Sequence, residues 1–300
     1  MRHFAILLII IGLASCIQEL PIEVPGNQNQ LVVGSLINPQ KLISLNASYV
    51  NPFQDTLAGR VPKILEILIK ENDVVIDTPM GQGPDIYSST YPMEGSKYEL
   101  YVRTENEVVT ASTIIPKKVN LIRTEYSVKD IPSQTVDKIM EYLITWEDPP
   151  LVENFYELQL LDQEKRPFSY YSYQEIDDQV LVQEGDLSYM PDSFVFRDEQ
   201  FEGHIVTIKI STSHGSIRKT PTVYALLRSV SKEYYHFKKS WHRHVFLQNA
   251  DVVEDGNLDL YDVYSLLFQG DPIPLYSNIK EGRGIFAGFT EDVRKFTLKK

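Results

Sequence analysis

Cysteine is almost absent from this chain: there is one, Cys16, and none after it. No disulfide can form within the protein, so its body must be stable through its own core. With 300 residues it is long enough to bury most of the surface that its unfolded chain exposes. Long hydrophobic runs are missing too. The clearest one, Phe4 to Leu13, holds about ten residues, far short of the ~20 that cross a bilayer as a helix. Positive charge is in short supply, with 29 Lys and Arg against 41 Asp and Glu and a formal net charge of −12. Such a body argues against nucleic acid, whose binding rests on neutralising phosphates, and against lying flat on anionic lipid. Several enzyme signatures are missing: there is no Gly-x-Ser-x-Gly elbow, no His-Glu-x-x-His and no Walker loop. His242 and His244 stand two apart, which on a helix points them to opposite sides and denies them a shared metal ion. A glycosidase pair of carboxylates cannot be read from spacing. No internal repeat or low-complexity tract is found.

The amino terminus is informative. Arg2 and His3 precede the apolar run, and Ala14, Ser15 and Cys16 follow it, the layout of a secretory signal. Leu13-Ala14-Ser15-Cys16 resembles the lipobox of bacterial lipoproteins. That resemblance implies that residues 1–15 are removed, that the Cys16 sulfur takes a diacylglycerol, and that the new amine is acylated. One acyl chain binds a membrane only marginally at ~0.8 kcal/mol per methylene, so three would anchor the protein essentially permanently. Residues 16–30 then serve as lipid anchor and tether. Pro21, Pro25 and Gly26 keep this segment extended, giving it a reach of tens of ångströms.

From Leu31 the pattern turns to strands, and the whole reads as mainly β. Tyr98, Leu100 and Val102 alternate with Glu99, Tyr101 and Arg103, which marks a half-buried strand. Short strands at this spacing with Pro and Gly turns predict an immunoglobulin- or fibronectin-like sandwich over 31–117. A second β-rich domain follows over 118–300. There Met140, Tyr142, Ile144 and Trp146 alternate, as do Tyr156, Leu158 and Leu160, and Val206, Ile208 and Ile210. One amphipathic helix is predicted at about 232–247, capped by Ser231 with Glu233 in its first turn. Its aromatic stripe, Tyr234, Phe237, Trp241 and Val245, is expected to pack on a sheet.

An ordered set of segments carries a family resemblance. It comprises Leu31 to Gly34, Tyr91 to Leu100, and Ser112 to Pro116. It continues with Trp146-Glu147-Asp148-Pro149, Asn154-Phe155-Tyr156, Phe196 to Phe201, and Ser231 to Tyr235. It closes with Leu275 to Ile279, followed by Gly282, Gly284, Ile285, Phe286 and Gly288. This set is similar to the Bacteroidota outer-membrane lipoproteins catalogued as domain of unknown function 4249. The resemblance implies outer-membrane localisation, facing the periplasm or the surface, and genes lying beside TonB-dependent transporters. It brings no catalytic residues. Asn249 to Gln269 departs from it by being longer and more acidic.

Other features point to chemistry. Asp251, Asp255, Asn257, Asp259 and Asp262 fall on positions 1, 5, 7, 9 and 12 of an EF-type calcium loop, with Gly256 at the turn. Val253 stands where position 3 needs an oxygen, so the alternative is a solvated acidic turn; calcium is the one cofactor in question. The glycines at 282, 284 and 288 suit a tight β corner at positive φ. Phe168, Tyr170, Tyr171 and Tyr173 alternate, offering one face to a core and the three tyrosines as contacts to a sugar or an interface. Thr56, in Asp55-Thr56-Leu57, resembles an O-glycosylation acceptor of the same phylum. Asn46 heads a formal N-glycosylation triplet, which only a eukaryotic route would use. The resulting expectation is a non-enzymatic lipoprotein that partners a TonB-dependent transporter. The alternatives are a stand-alone glycan or peptide binder and a hydrolase with unrecognised acidic residues.

Overall fold

A computed structural model describes residues 30–50, 61–81, 85–130, 138–173, 176–189, 191–213, 222–248 and 274–298. The protein is mainly β. Strands β1 (Leu31–Ile37), β2 (Ser44–Tyr49), β3 (Ile64–Glu71), β4 (Val74–Asp77), β5 (Asp85–Tyr87), β6 (Lys97–Thr104) and β7 (Val108–Ile114) come first. Then follow β8 (Leu121–Asp130), β9 (Lys138–Glu147), β10 (Phe155–Leu161), helix α1 (Gln179–Gln183), β11 (Phe194–Arg197), β12 (Ile205–Ser213) and β13 (Tyr224–Val230). Helix α2 (Lys232–Gln248), β14 (Arg283–Lys295) and β15 (Thr297–Leu298) complete the chain. No helix among the described residues is long and apolar enough to cross a membrane.

One seven-stranded sheet, ordered β11-β10-β13-β14-β1-β2-β5, runs through both halves. The four-stranded sheet β4-β3-β6-β7 packs on its β1-β2-β5 end, and the sheet β12-β9-β8-β15 on its β11-β10-β13 end. The alternations read from the sequence set these faces. Tyr98, Leu100 and Val102 enter the first core; Met140, Tyr142, Ile144, Trp146, Val206, Ile208 and Ile210 enter the second.

The two sandwiches share β14. Its first half pairs parallel with β1, from Val32 opposite Arg283 to Ile37 opposite Gly288. Its second half pairs antiparallel with β13, from Val230 opposite Phe289 to Tyr224 opposite Lys295. Phe286 and Ile279 lie in the first core, so the sandwich at 31–117 takes in residues from the far end of the chain. A fragment of residues 31–117 would lack a central neighbour for β1 and the core side chains of Phe286 and Ile279. Filling such a hole with nothing costs ~3–5 kcal/mol. We expect that fragment to show no cooperative unfolding transition by circular dichroism, where the full chain does.

Helix α2 forms where the sequence predicts it. Ser231 Oγ accepts from the Tyr234 N–H at 3.3 Å, and Glu233 stands in the first turn. Its buried face is rotated from the expected stripe. Tyr234, Tyr235 and His242 are buried, Phe237 packs partly, and Trp241 is 42% exposed, stacked on Phe237. The reason lies in the sheet beneath. Glu157 of β10 faces the helix, so Lys238 turns inward to meet it, and Lys239 turns toward Glu184 and Asp186. This also corrects β10: Glu157 and Gln159 alternate with apolar residues but are buried.

Candidate functional site

The two sandwiches enclose a cleft of about 700 Å3. One wall is the end of β7, Ile114 to Lys117, with Gly95 and Lys97; the other is the β9–β10 turn, Pro149 to Phe155; Val230 to Glu233 at the head of α2 close it. Much of its lining is aliphatic, proline or aromatic. Lys97 is paired with Glu99 at 2.6 Å and Lys232 with Glu153 at 3.4 Å. Lys117 has no ion pair among the described residues. Glu233 accepts from the Thr113 hydroxyl at 3.0 Å, which ties the helix to the first sandwich at the back of the cleft.

The wall from the second sandwich is built by the sequence motifs. Trp146, Tyr156, Phe196 and Phe201 pack ring on ring, with centroids 5.5 to 6.3 Å apart. Beside them Asp148 accepts from the Tyr156 hydroxyl at 2.5 Å and from the Gly203 N–H at 2.8 Å. Asp198 accepts from the Asn154 backbone at 2.8 Å and its side chain at 3.2 Å. Both carboxylates are buried. Burial and the neighbouring Asp148 push the Asp198 carboxyl up, against the pull of the Asn154 hydrogen bonds. These aspartates shape a turn; among the described residues no group of three or more His, Cys, Asp or Glu could hold a metal ion.

Under α2 lies a second set of charges. Glu157 is fully buried and accepts from Arg228 Nη1 and the Tyr234 hydroxyl, each at 2.7 Å. Lys238 Nζ stands 3.1 Å from the other carboxylate oxygen, off the hydrogen-bond line. Burial pushes the Glu157 carboxyl up, but Lys238, Arg228 and the two hydrogen bonds outweigh it and hold it at about 2. Arg228 also reaches Glu291 at 3.0 Å. Farther along, Lys239 meets Glu184 at 2.9 Å and Asp186 at 3.0 Å. There Ser193 Oγ, His242 and Asp186 fall in the order of a nucleophilic triad, at 3.4 and 3.8 Å. All three are buried, Lys239 is paired with the same aspartate, and none borders the cleft.

The closing segment is structural. Asn278 mimics a strand neighbour: its side chain accepts from the Phe286 N–H at 2.9 Å and donates to the Phe286 carbonyl at 2.8 Å and the Ser112 carbonyl at 3.1 Å. Gly284 has φ +113, and a Cβ there would lie 2.0 Å from the Val33 carbonyl oxygen. Gly288 lets the strand approach Ile114 and Ile115, where a Cβ would meet atoms at 2.8 to 3.0 Å.

Of the candidates read from the sequence, Tyr173 is buried against Phe194 at 5.1 Å, which removes it as an exposed ligand contact. Tyr170 packs on the same core, with its ring 6.4 Å from that of Tyr173, and Tyr171 belongs to the same 3-10 turn. Cys16, Thr56 and the loop of Asp251, Asp255, Asn257, Asp259 and Asp262 lie outside the described residues. Sequence reasoning did not find the cleft, because its walls come from four separated segments. The only available signal was the Asp-Pro and Asn-x-Tyr motifs on one of them.

The model of a family described as domain of unknown function (DUF4249) matches residues 17–295. No curated protein matches the chain.

Proposed function

The chain belongs to the DUF4249 family, and from that premise we propose that it is a non-enzymatic, lipid-anchored binding protein of the outer membrane that partners a TonB-dependent transporter. The cleft is the observation that carries this reading. Its volume falls in the range of small-molecule sites, and such sites favour the seams between folded units. Its aliphatic walls and the unpaired Lys117 suit an apolar ligand or segment that carries an anionic group.

The position of the cleft supports the same reading. Strand β1 begins at Leu31, whereas Ile37 at its other end pairs with Gly288 next to the cleft residues Ile114 and Ile115. The seven residues of β1 at ~3.3 Å each separate the two by about 20 Å. A protein held through Cys16 and an extended tether would carry the cleft on the far end from its anchor. The resemblance to lipoproteins encoded beside TonB-dependent transporters supports the choice of partner.

Crosslinking in intact cells, then pull-down of the lipidated protein and mass spectrometry, tests this. A TonB-dependent receptor in roughly equal amount is expected. Repeated recovery of background proteins alone would contradict the reading and favour a stand-alone binder, which a glycan and peptide array would then identify.

A further inference from the structure

The turn between β9 and β10 is held more firmly than a surface loop requires. Leu151, at its tip, has φ +65, in the left-handed region that bulky side chains avoid. Its side chain is also 91% exposed, so no burial compensates for the strain. The surroundings impose this conformation. Asn154 Nδ2 donates to the Pro149 carbonyl at 3.1 Å and the Val152 carbonyl at 2.8 Å, closing the turn from within. Asn154 is itself fixed by buried Asp198. Pro150 presses on Gly203, where a Cβ would come within 3.0 Å of the proline ring. The motif aspartates and Asn154 therefore converge on presenting one leucine to solvent. Backbone strain that a structure over-determines in this way gathers at functional sites.

Leu151 has company. Val152 is 58% exposed and Ile205, which pairs with Glu147 at the same end of the sandwich, is 65% exposed. Around them stand exposed Glu147, Glu153 and Glu202, of which Glu153 is paired with Lys232. This is an aliphatic knob with an acidic surround on a body of net charge −12.

We infer that Leu151 is the anchor by which this chain docks on its protein partner, entering an apolar pocket rimmed by cationic groups. Charge complementarity selects that partner and opposes an anionic lipid surface. Preorganisation adds to it, since a side chain already held in place loses little freedom on binding. The inference rests on the reading of the protein as a transporter partner and names the contact.

Leu151→Gly tests it cleanly. Glycine suits the positive φ, so the thermal midpoint is expected to stay or rise, while recovery of the TonB-dependent receptor in the pull-down falls about tenfold, as for an interface anchor. Equal recovery by Leu151→Gly and the unmodified protein overturns the docking role and leaves the partner reading standing. Failure of the unmodified protein to recover any receptor overturns both. Vesicles of phosphatidylethanolamine and phosphatidylglycerol form the last arm. Binding of the full chain that Leu151→Gly abolishes would assign the tip to lipid and overturn the proposal.

Discussion

Gly284→Ala is expected to be the most damaging single-methyl change in the protein. The new Cβ would lie 2.0 Å from the Val33 carbonyl oxygen, on a backbone at φ +113. Neither problem has a local remedy. The obstructing atom is backbone in β1, and its strand is locked in parallel register from Val32 to Ile37. Holding alanine at such a φ costs ~1–3 kcal/mol, and forcing β1 and β14 apart adds ~1–3 kcal/mol of overpacking. A loss of about 4 kcal/mol corresponds to a fall of roughly 10 °C in the melting temperature of a domain of this size. Gly34→Ala, on β1 itself, is the control: its Cβ would meet nothing within 4 Å, so a change within ~0.5 kcal/mol is expected. Differential scanning calorimetry of both variants decides it. Equal melting temperatures would mean that the β1–β14 contact is not as close as described.

Replacing Glu157 should cost nearly as much, for an electrostatic reason. Its carboxylate accepts from Arg228 and Tyr234 and is ion-paired with Lys238 under α2. Glu157→Ala leaves Lys238 and part of Arg228 charged against a buried surface, which typically costs ~3–5 kcal/mol. Arg228 retains Glu291, so the lower end of that range is expected. The same network fixes a pH dependence. The carboxyl sits at about 2 in the folded protein against an ordinary value of 4.5. A depressed acid stabilises the fold above its unfolded pKa, and that contribution is lost as the pH falls from 4.5 toward 2. The gap is worth roughly 3 kcal/mol. Urea unfolding at pH 6, 4 and 3 should show this loss in the unmodified protein and a shallower one in Glu157→Gln. Parallel slopes would place the acid sensitivity elsewhere.

These two sites also show what the sequence could reveal. Alternation in Tyr98 to Val102, Met140 to Trp146 and Val206 to Ile210 was legible because each strand has one buried face. Helix α2 was legible from Ser231, Glu233 and its spacing. Its orientation was not, because a helix lysine looks the same in sequence whether it meets water or a buried glutamate. The shared strand was hidden for another reason. Val33 and Gly284 are neighbours from opposite ends of the chain, and no local pattern reports a pairing at that separation. The glycines at 282, 284 and 288 read as a tight β corner at positive φ, but of the three only Gly284 has positive φ, and Gly284 and Gly288 lie inside strand β14; what they approach could be seen only in the fold. The motifs around Asp148, Asn154 and Asp198 stood out as a resemblance, and the structure turns them into the supports of one turn. The cleft was least legible of all, since Ile114, Pro150 and Ser231 become neighbours only after both sandwiches form.

Binding in the cleft between the sandwiches can be read directly in intact cells. A photoreactive amino acid placed in intact cells at Ile114, inside the cleft and 56% exposed, and separately at Val74, on edge strand β4 and 65% exposed, tests it most directly. A discrete, reproducible adduct is expected from position 114 and none from position 74. Adducts from position 74 with none from position 114 would contradict it and move the binding surface to the opposite edge of the first sandwich's smaller sheet.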